Sequence, residues 1–183
     1  MPIEFVPLAL KGLVLIRPVF VEDNRGAFVK NFSEEAFSQA GINFTPKENF
    51  YSVSKQGVLR GMHFQAPPFA YDKLVYCVHG RIHDVVLDIR IGSPTYGQVW
   101  SGELDALRGD ALFLPPGFAH GFHALEPDSI VAYSVSEVHN PKSDLGVHWD
   151  SFGHSWNCGH PIVSARDHAL PRLEDLANPF AFS

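Results

Sequence analysis

Ten histidines stand among the 183 residues of this chain. Imidazole ligates transition metals and moves protons near neutral pH, so the surplus points either to a metal centre or to acid–base catalysis. Two settings narrow the choice. His63 opens a strand-like run six residues after Gly57, and His120 closes the spacing G-x5-P-x-G-x2-H that starts at Gly109. Metal-binding histidines on one strand fall at alternate positions, where both rings face the same way. The alternate position after His63 holds Gln65, a poor ligand beside imidazole or carboxylate, and the next acid, Asp72, follows a proline-broken stretch. The pattern favours proton transfer at one or two histidines, with most of the others at surface or satisfied structural positions.

The elements that must position these groups read as strands. Prolines and glycines are spread along the whole length and punctuate short runs rich in Val, Ile, Phe and Tyr. Lys73 to Arg90 reads as a hairpin about His79 and Gly80, its return stretch alternating His83, Val85, Leu87 and Ile89 with Ile82, Asp84, Val86 and Asp88. Further strands are expected at Val14 to Phe20, Gly97 to Leu104, Ala111 to Leu114, Gly121 to Leu125 and Ser129 to Ser136. A short helix follows Ser33, whose hydroxyl is placed to cap it, with Glu34 and Glu35 in the first turn and Gly41 at the end. A second helix is expected near Pro171 to Ala177. The fold class is all-β, an antiparallel sandwich or barrel with the jelly roll favoured, and pairing across a dimer would cover its edge strands.

Composition sets outer bounds. An apolar fraction of 45% against 19% charged residues fits one globular domain over residues 1–183. A net charge of −6 argues against nucleic-acid binding through bulk positive charge, although a local basic pocket can still hold an anion. Cys77 and Cys158 form no C-x-x-C pair and read as reduced, structural thiols. Glu4, Lys11 and Arg17 interrupt the apolar N-terminus, and no apolar run is long enough to span a bilayer. The expectation is a cytoplasmic protein without membrane partners.

The stretch around His63 and Gln65 and the His120 spacing resemble the two motifs of the cupin superfamily. A closer resemblance follows from G-V-L-R-G-M-H-F-Q with Pro67-Pro68, K-L-V from Lys73, D-I-R-I-G-S-P-T-Y-G from Asp88, L-P-P-G-F-A-H-G-F from Leu114 and S-A-R-D from Ser164. In this order they are similar to the dTDP-4-dehydrorhamnose 3,5-epimerase family, from about Gly12 to Leu173. The resemblance implies a cupin-type jelly-roll homodimer, with the N-terminal strands (about residues 1–50) exchanged or packed across it. It also implies epimerisation of a nucleotide-linked 4-keto-6-deoxyhexose without metal or organic cofactor.

A 4-keto group acidifies the hydrogens on C3 and C5, so inversion needs a base, an enolate stabiliser and an acid on the opposite face. By resemblance His63 is the base, Asp167 the acid that holds its tautomer, Tyr133 the proton donor and Lys73 the group near the keto oxygen. His120 matches a second pocket histidine, while Arg25 and Arg60 match the arginines that hold the diphosphate. The rim departs from the family pattern. Lys30 stands where a glutamate is usual, Glu48-Asn49-Phe50 replaces a Q-x-N string, and Val138-His139 replaces a tyrosine pair whose second member stacks on thymine. Asp144 shortens a glutamate and Arg166 replaces a lysine. The leading expectation is the dTDP sugar inverted at both carbons, with a mono-epimerase or a CDP or other nucleotide variant as alternatives. A metal-dependent cupin oxygenase or isomerase using His63, Gln65 and His120 is the runner-up, followed by a catalytically silent sugar-nucleotide binder.

Overall fold

The computed structural model describes residues 2–182. Its strands are β1 (Glu4–Pro7), β2 (Val14–Arg17), β3 (Val19–Asp23), β4 (Gly26–Lys30), β5 (Glu48–Ser54), β6 (Val58–Gln65), β7 (Lys73–His79), β8 (Arg81–Asp88), β9 (Val99–Asp105), β10 (Ala111–Leu114), β11 (Phe118–Ala124), β12 (Ser129–Val135), β13 (Asp144–Gly146) and β14 (Ile162–Val163). Two short α-helices join them, α1 (Glu34–Gln39) and α2 (Ala165–His168). One sheet has the order β1-β2-β10-β7-β12-β5 and the other β13-β6-β11-β8-β9, with β14 lying parallel to β6. The remaining pairs in both sheets are antiparallel, giving the all-β, cupin-type jelly roll that the sequence indicates. No helix among the described residues is long and apolar enough to cross a membrane.

Most of each sheet is covered on both faces, the edge strand β5 excepted, where Phe50, Tyr51 and Val53 are exposed. Val75, Leu112 and Val131 of the first sheet meet Ile82, Val86 and Phe122 of the second in the central core. Phe37 of α1 seals the outer face of the first sheet, packed edge-on against Phe5, Phe32 and Phe113. Over the second sheet lies the C-terminal segment, where Val147, Trp156 and Phe180 cover Leu59, Val85 and Leu87. This double coverage explains why nearly every residue of β8 is buried, although its alternation is as expected.

Several local expectations are corrected. The run from Lys73 to Arg90 is not a hairpin, because β7 pairs with β10 and β12 while β8 pairs with β9 and β11. Gly80, at φ +72°, passes the chain from one sheet to the other, and a Cβ there would lie 2.6 Å from Ser129 Oγ. Pro18, lacking an N–H, separates β2 from β3, so Val14 to Phe20 is not one strand. Ser33 is the N-cap of α1, but its side chain makes no capping hydrogen bond. Near Pro171 to Ala177 there is only a single 3-10 turn, Leu173–Asp175: Pro171 fixes the entry, and at Leu176 the backbone is already extended as the chain lays Leu173, Leu176 and Phe180 over the second sheet. The D-I-R-I-G-S-P-T-Y-G string proves architectural: buried Asp88 accepts hydrogen bonds from Arg90 (2.7 Å), Ser93 (2.6 Å) and Thr95 (2.6 Å).

Two histidines help hold the C-terminal cover. His83 Nε2 of β8 lies 3.2 Å from His154 Nε2, the rings nearly coplanar, and Trp156 packs edge-on against both. One ring donates a proton to the other, and adding protons to both sets two N–H groups against each other. Burial lowers both pKa values; Asp84 and Glu103 oppose this at His83, while His83 itself lowers His154 and the adjacent His123. Because the folded pKa values are depressed, the associated stability is full above the unfolded value of 6.5 and is lost as pH falls through it. Thermal melting from about pH 7 to about pH 5 should show a flatter decline in Tm for His83→Phe/His154→Phe than for the wild type.

Candidate active site

The site starts where two backbones touch. A Cβ on Gly61 of β6 would lie 2.5 Å from Gly121 Cα on β11, and one on Gly121 would lie 2.7 Å from Arg60 O. Only glycine at both positions permits that approach. The β6/β11 register shifts between His120 and Phe122 at the same point, and His63 comes to lie opposite His120. Arg60, His63 and His120 thereby line one side of a cleft of about 280 Å³ between the sheets. Phe50, Ser52, Lys73 and Tyr133 line it from the facing sheet.

Each histidine has a carboxylate behind it. His63 Nε2 donates to Asp167 Oδ1 at 2.7 Å, and the other carboxylate oxygen accepts the Gly61 N–H at 3.2 Å. Asp167 reaches this place because α2 sets it there, with Ser164 Oγ accepting the Asp167 N–H at 3.0 Å as the helix cap. Burial alone would raise the Asp167 pKa, yet the His63 hydrogen bond, the His63 charge and the Gly61 N–H together hold it below the usual value. An ionised Asp167 fixes the Nε2–H tautomer and leaves His63 Nδ1 as a free base. His120 Nε2 is held in turn by Asp84 Oδ2 at 2.8 Å, both residues being buried. Desolvation lowers the His120 pKa against the pull of Asp84.

On the facing wall, burial pushes the Tyr133 phenol up, which keeps it a neutral donor. Phe50 stacks on the Tyr133 ring at 4.9 Å and 18°. Lys73 is buried at the start of β7, and desolvation depresses its pKa to about 8 against the charges of Asp84 and Asp144. Around the mouth, Tyr71, His139, Asp144 and Arg166 complete the lining, with Asp144 paired to Arg166 at 2.8 Å. Glu48 does not line the cleft; it accepts the His139 N–H at 3.1 Å and so holds the mouth loop. Arg60 Nε donates to Ser54 Oγ at 3.0 Å, which directs its guanidinium along the cleft edge.

A match of the dTDP-4-dehydrorhamnose 3,5-epimerase family covers residues 7–175. The chain belongs to the dTDP-4-dehydrorhamnose 3,5-epimerase family. The dTDP-4-dehydrorhamnose 3,5-epimerase of Sinorhizobium fredii is 37% identical over 182 residues, which is 97% of this chain and 93% of that protein. A dTDP-4-dehydrorhamnose 3-epimerase of Streptomyces niveus is 37% identical over 165 residues, 88% of this chain and 79% of its own. Among solved structures, the Legionella pneumophila dTDP-6-deoxy-D-glucose-3,5-epimerase in complex with dTDP-4-keto-L-rhamnose superposes with a TM-score of 0.94 at 29% identity, covering 99% of each chain. Like the other members of the epimerase family, this protein is an isomerase.

Within this epimerase fold the cleft gathers His63, Lys73, His120, Tyr133, Arg60, His139, Asp144 and Arg166, with Asp167 directly behind His63. Two residues expected at the substrate, Arg25 at the diphosphate and Lys30 at the rim, are not gathered. Arg25 sits at the tip of the β3–β4 ribbon, 86% exposed and bonded to Asp23 at 2.6 Å, and Lys30 ends β4, also exposed. The ribbon pairs only with itself, which is why these residues do not reach the cleft of their own chain. Gln65, in the place of a metal-cupin ligand, spends its amide on three loop groups: Phe69 O at 2.6 Å, Val138 O at 3.0 Å and the Asn140 N–H at 2.8 Å. Asp84 and Tyr71 were not singled out as site residues from sequence. Asp84 carries a signal, an acid within the run that holds Ile82, Val85, Val86 and Leu87; Tyr71 carries none.

The buried ammonium of Lys73 opposes folding. Its displacement from 10.5 to about 8 means that the charge is disfavoured inside by about 3 kcal/mol at neutral pH. Lys73→Met should therefore raise stability in urea by about 2–3 kcal/mol while activity is lost. An equally stable or weaker variant would contradict the buried-charge assignment.

Proposed function

We propose that the protein epimerises a dTDP-linked 4-keto-6-deoxyhexose at C3, C5 or both. The observation that carries this reading is the pairing of a carboxylate-backed imidazole on one sheet with a partly buried phenol on the facing sheet, across one cleft. A ring held between them presents one face to each. His63 removes the acidic hydrogen from the carbon next to the ketone, and Asp167 stabilises the imidazolium that forms. Charge then moves onto the C4 oxygen, where the Lys73 ammonium lies with His120 close by. Tyr133 returns a proton from the opposite face, and the configuration inverts. The dTDP nucleotide is supported by the named activities of the relatives; Arg60, His139, Asp144 and Arg166 form the side of the cleft suited to hold it.

In this reading the protein works as a homodimer in which the β3–β4 ribbon of one copy reaches the cleft of the other. The ribbon projects from its own sandwich, exposes Val21 and Phe28, and carries Arg25 and Lys30 without a use in its own chain. Supplied from the partner, Arg25 serves the diphosphate and Lys30 the adjoining anion. Mixed dimers of one Arg25→Ala and one His63→Ala chain should regain one wild-type site of the two, about half the activity of a wild-type dimer, which kinetics on co-expressed, differently tagged and doubly purified chains would read. Recovery no greater than in either homodimer would show that each chain completes its own site.

With dTDP-4-keto-6-deoxyglucose in D2O, NMR should show deuterium entering at C3, C5 or both. His63→Ala should abolish exchange, a loss of at least about a thousandfold. Tyr133→Phe should remove inversion while leaving some exchange, because abstraction precedes reprotonation. Activity should fall above about pH 8, as Lys73 loses its proton. Full activity in His63→Ala would displace the base, and absence of exchange beside an active control enzyme would displace the substrate class.

A further inference from the structure

The enolate-facing lysine has no anion of its own. Among the described residues Lys73 Nζ makes neither an ion pair nor a hydrogen bond, and the carboxylates that act on it from a distance are committed elsewhere. Asp84 of β8 accepts from His120 at 2.8 Å, and Asp144 of β13 pairs with Arg166 at 2.8 Å. His120 of β11 also faces the ammonium, and its own charge would repel it. The strand neighbours of Lys73 are Leu114 of β10 and Val135 of β12, both apolar. What does lie over the ammonium is the ring of Tyr71, with Nζ 5.7 Å from its centroid.

We propose that Tyr71 is a positioning residue for catalysis: its ring face holds the Lys73 ammonium, charged and unneutralised, at the place where the enolate oxygen develops. The inference rests on the role given to Lys73 above. An aromatic face attracts a cation through its quadrupole within about 6 Å of the centroid. It differs from a carboxylate in two ways that matter at this position. The attraction leaves the positive charge uncancelled, and it engages the ammonium at most through a weak N–H···π contact, so strong donors remain for the substrate oxygen. A carboxylate in the same place would make a stable pair and a poor oxyanion site. Tyr71 also stays a neutral phenol, since burial, Asp144 and Glu48 push its pKa up to about 12 against the opposing charge of Arg166. Its ring therefore provides the attraction without a second ionisation in the working pH range.

The ring face and the hydroxyl can be separated by substitution, and the lysine can be read without substrate. Carbon-13 NMR of the lysine Cε groups, with the Lys73 signal assigned by its loss in Lys73→Arg, gives the Lys73 pKa directly in the wild type, Tyr71→Phe and Tyr71→Leu. Tyr71→Leu should lower it by about one pH unit, and Tyr71→Phe should leave it near the wild-type value. In the exchange assay the alkaline limb of kcat/KM should move down by the same amount in Tyr71→Leu, a loss of about fivefold at pH 8, with the limb in place for Tyr71→Phe. Tyr71→Met repeats the measurement should the leucine variant not fold. An unchanged Lys73 pKa in Tyr71→Leu or Tyr71→Met overturns the proposal. So does an equal drop in Tyr71→Phe, which would assign the effect to the hydroxyl. If the pKa pattern is as expected but the wild type exchanges no 4-keto sugar, the proposed function fails while the cation–ring interaction stands.

Discussion

The geometry of this site depends on a backbone contact with no side chains in it. Gly61 and Gly121 let β6 and β11 approach so closely that a single methyl group at either position would meet main-chain atoms at 2.5 to 2.7 Å. The shifted register at that contact sets His63 opposite His120 on adjacent strands, rather than slipped to the far face of the sheet. Their carboxylates come from unrelated parts of the chain, Asp84 from the next strand and Asp167 from a helix more than a hundred residues on. The contact between strands comes first in the hierarchy, the imidazoles second, and the acids that fix their tautomers third.

A cleft set between two packed sheets is expensive for charge, and its residues show how the cost is met. Asp167 and Asp84 each hold a histidine, Asp144 holds Arg166, and Tyr133 remains neutral. Lys73 is the exception, a buried cation left for the aromatic face of Tyr71. Stabilising a developing anion requires such a group before the anion exists, so the fold tolerates a charge whose partner arrives only with the substrate. The chain's net charge of −6 is compatible with this, because on the proposed reading the site needs one diphosphate clamp and one enolate clamp rather than a basic surface.

Much of the strand content was legible because apolar alternation and turn residues are local. Ala111 to Leu114 coincides with β10, and Ser129 to Ser136 with β12 to within one residue. The partners of those strands were not legible. A glycine between two apolar runs looks the same whether the chain folds back beside itself or crosses to the opposite sheet, and at Gly80 it crosses. The site shows the same division. His63 and Asp167 are 104 positions apart, so residue types alone could not join them, and it was the resemblance that did. Asp84 was visible as an acid, but alternation placed it on a face that could equally have been wet. Arg25 matched its motif and still lies outside its own chain's cleft, since a motif records residue types and not where the fold carries them.

The histidine surplus divides along physical lines. His63 and His120 have carboxylates and a cleft, His83 and His154 have each other and Trp156, and His139 stands at the mouth. Gln65 could have turned the first pair into a metal site by being a third imidazole; instead its amide secures the loops at 66–69 and 138–140, the latter carrying His139. The residue that replaces a ligand thus helps to shape the mouth. In the proposed mechanism one base and one acid on opposite walls serve any carbon beside the ketone that is turned toward them. The choice between C3, C5 and both then falls to how the sugar is rotated, and that is set by the groups gripping the nucleotide. On that reading the wall chemistry defines the reaction, while the mouth around Arg60, His139, Asp144 and Arg166 defines which carbon undergoes it.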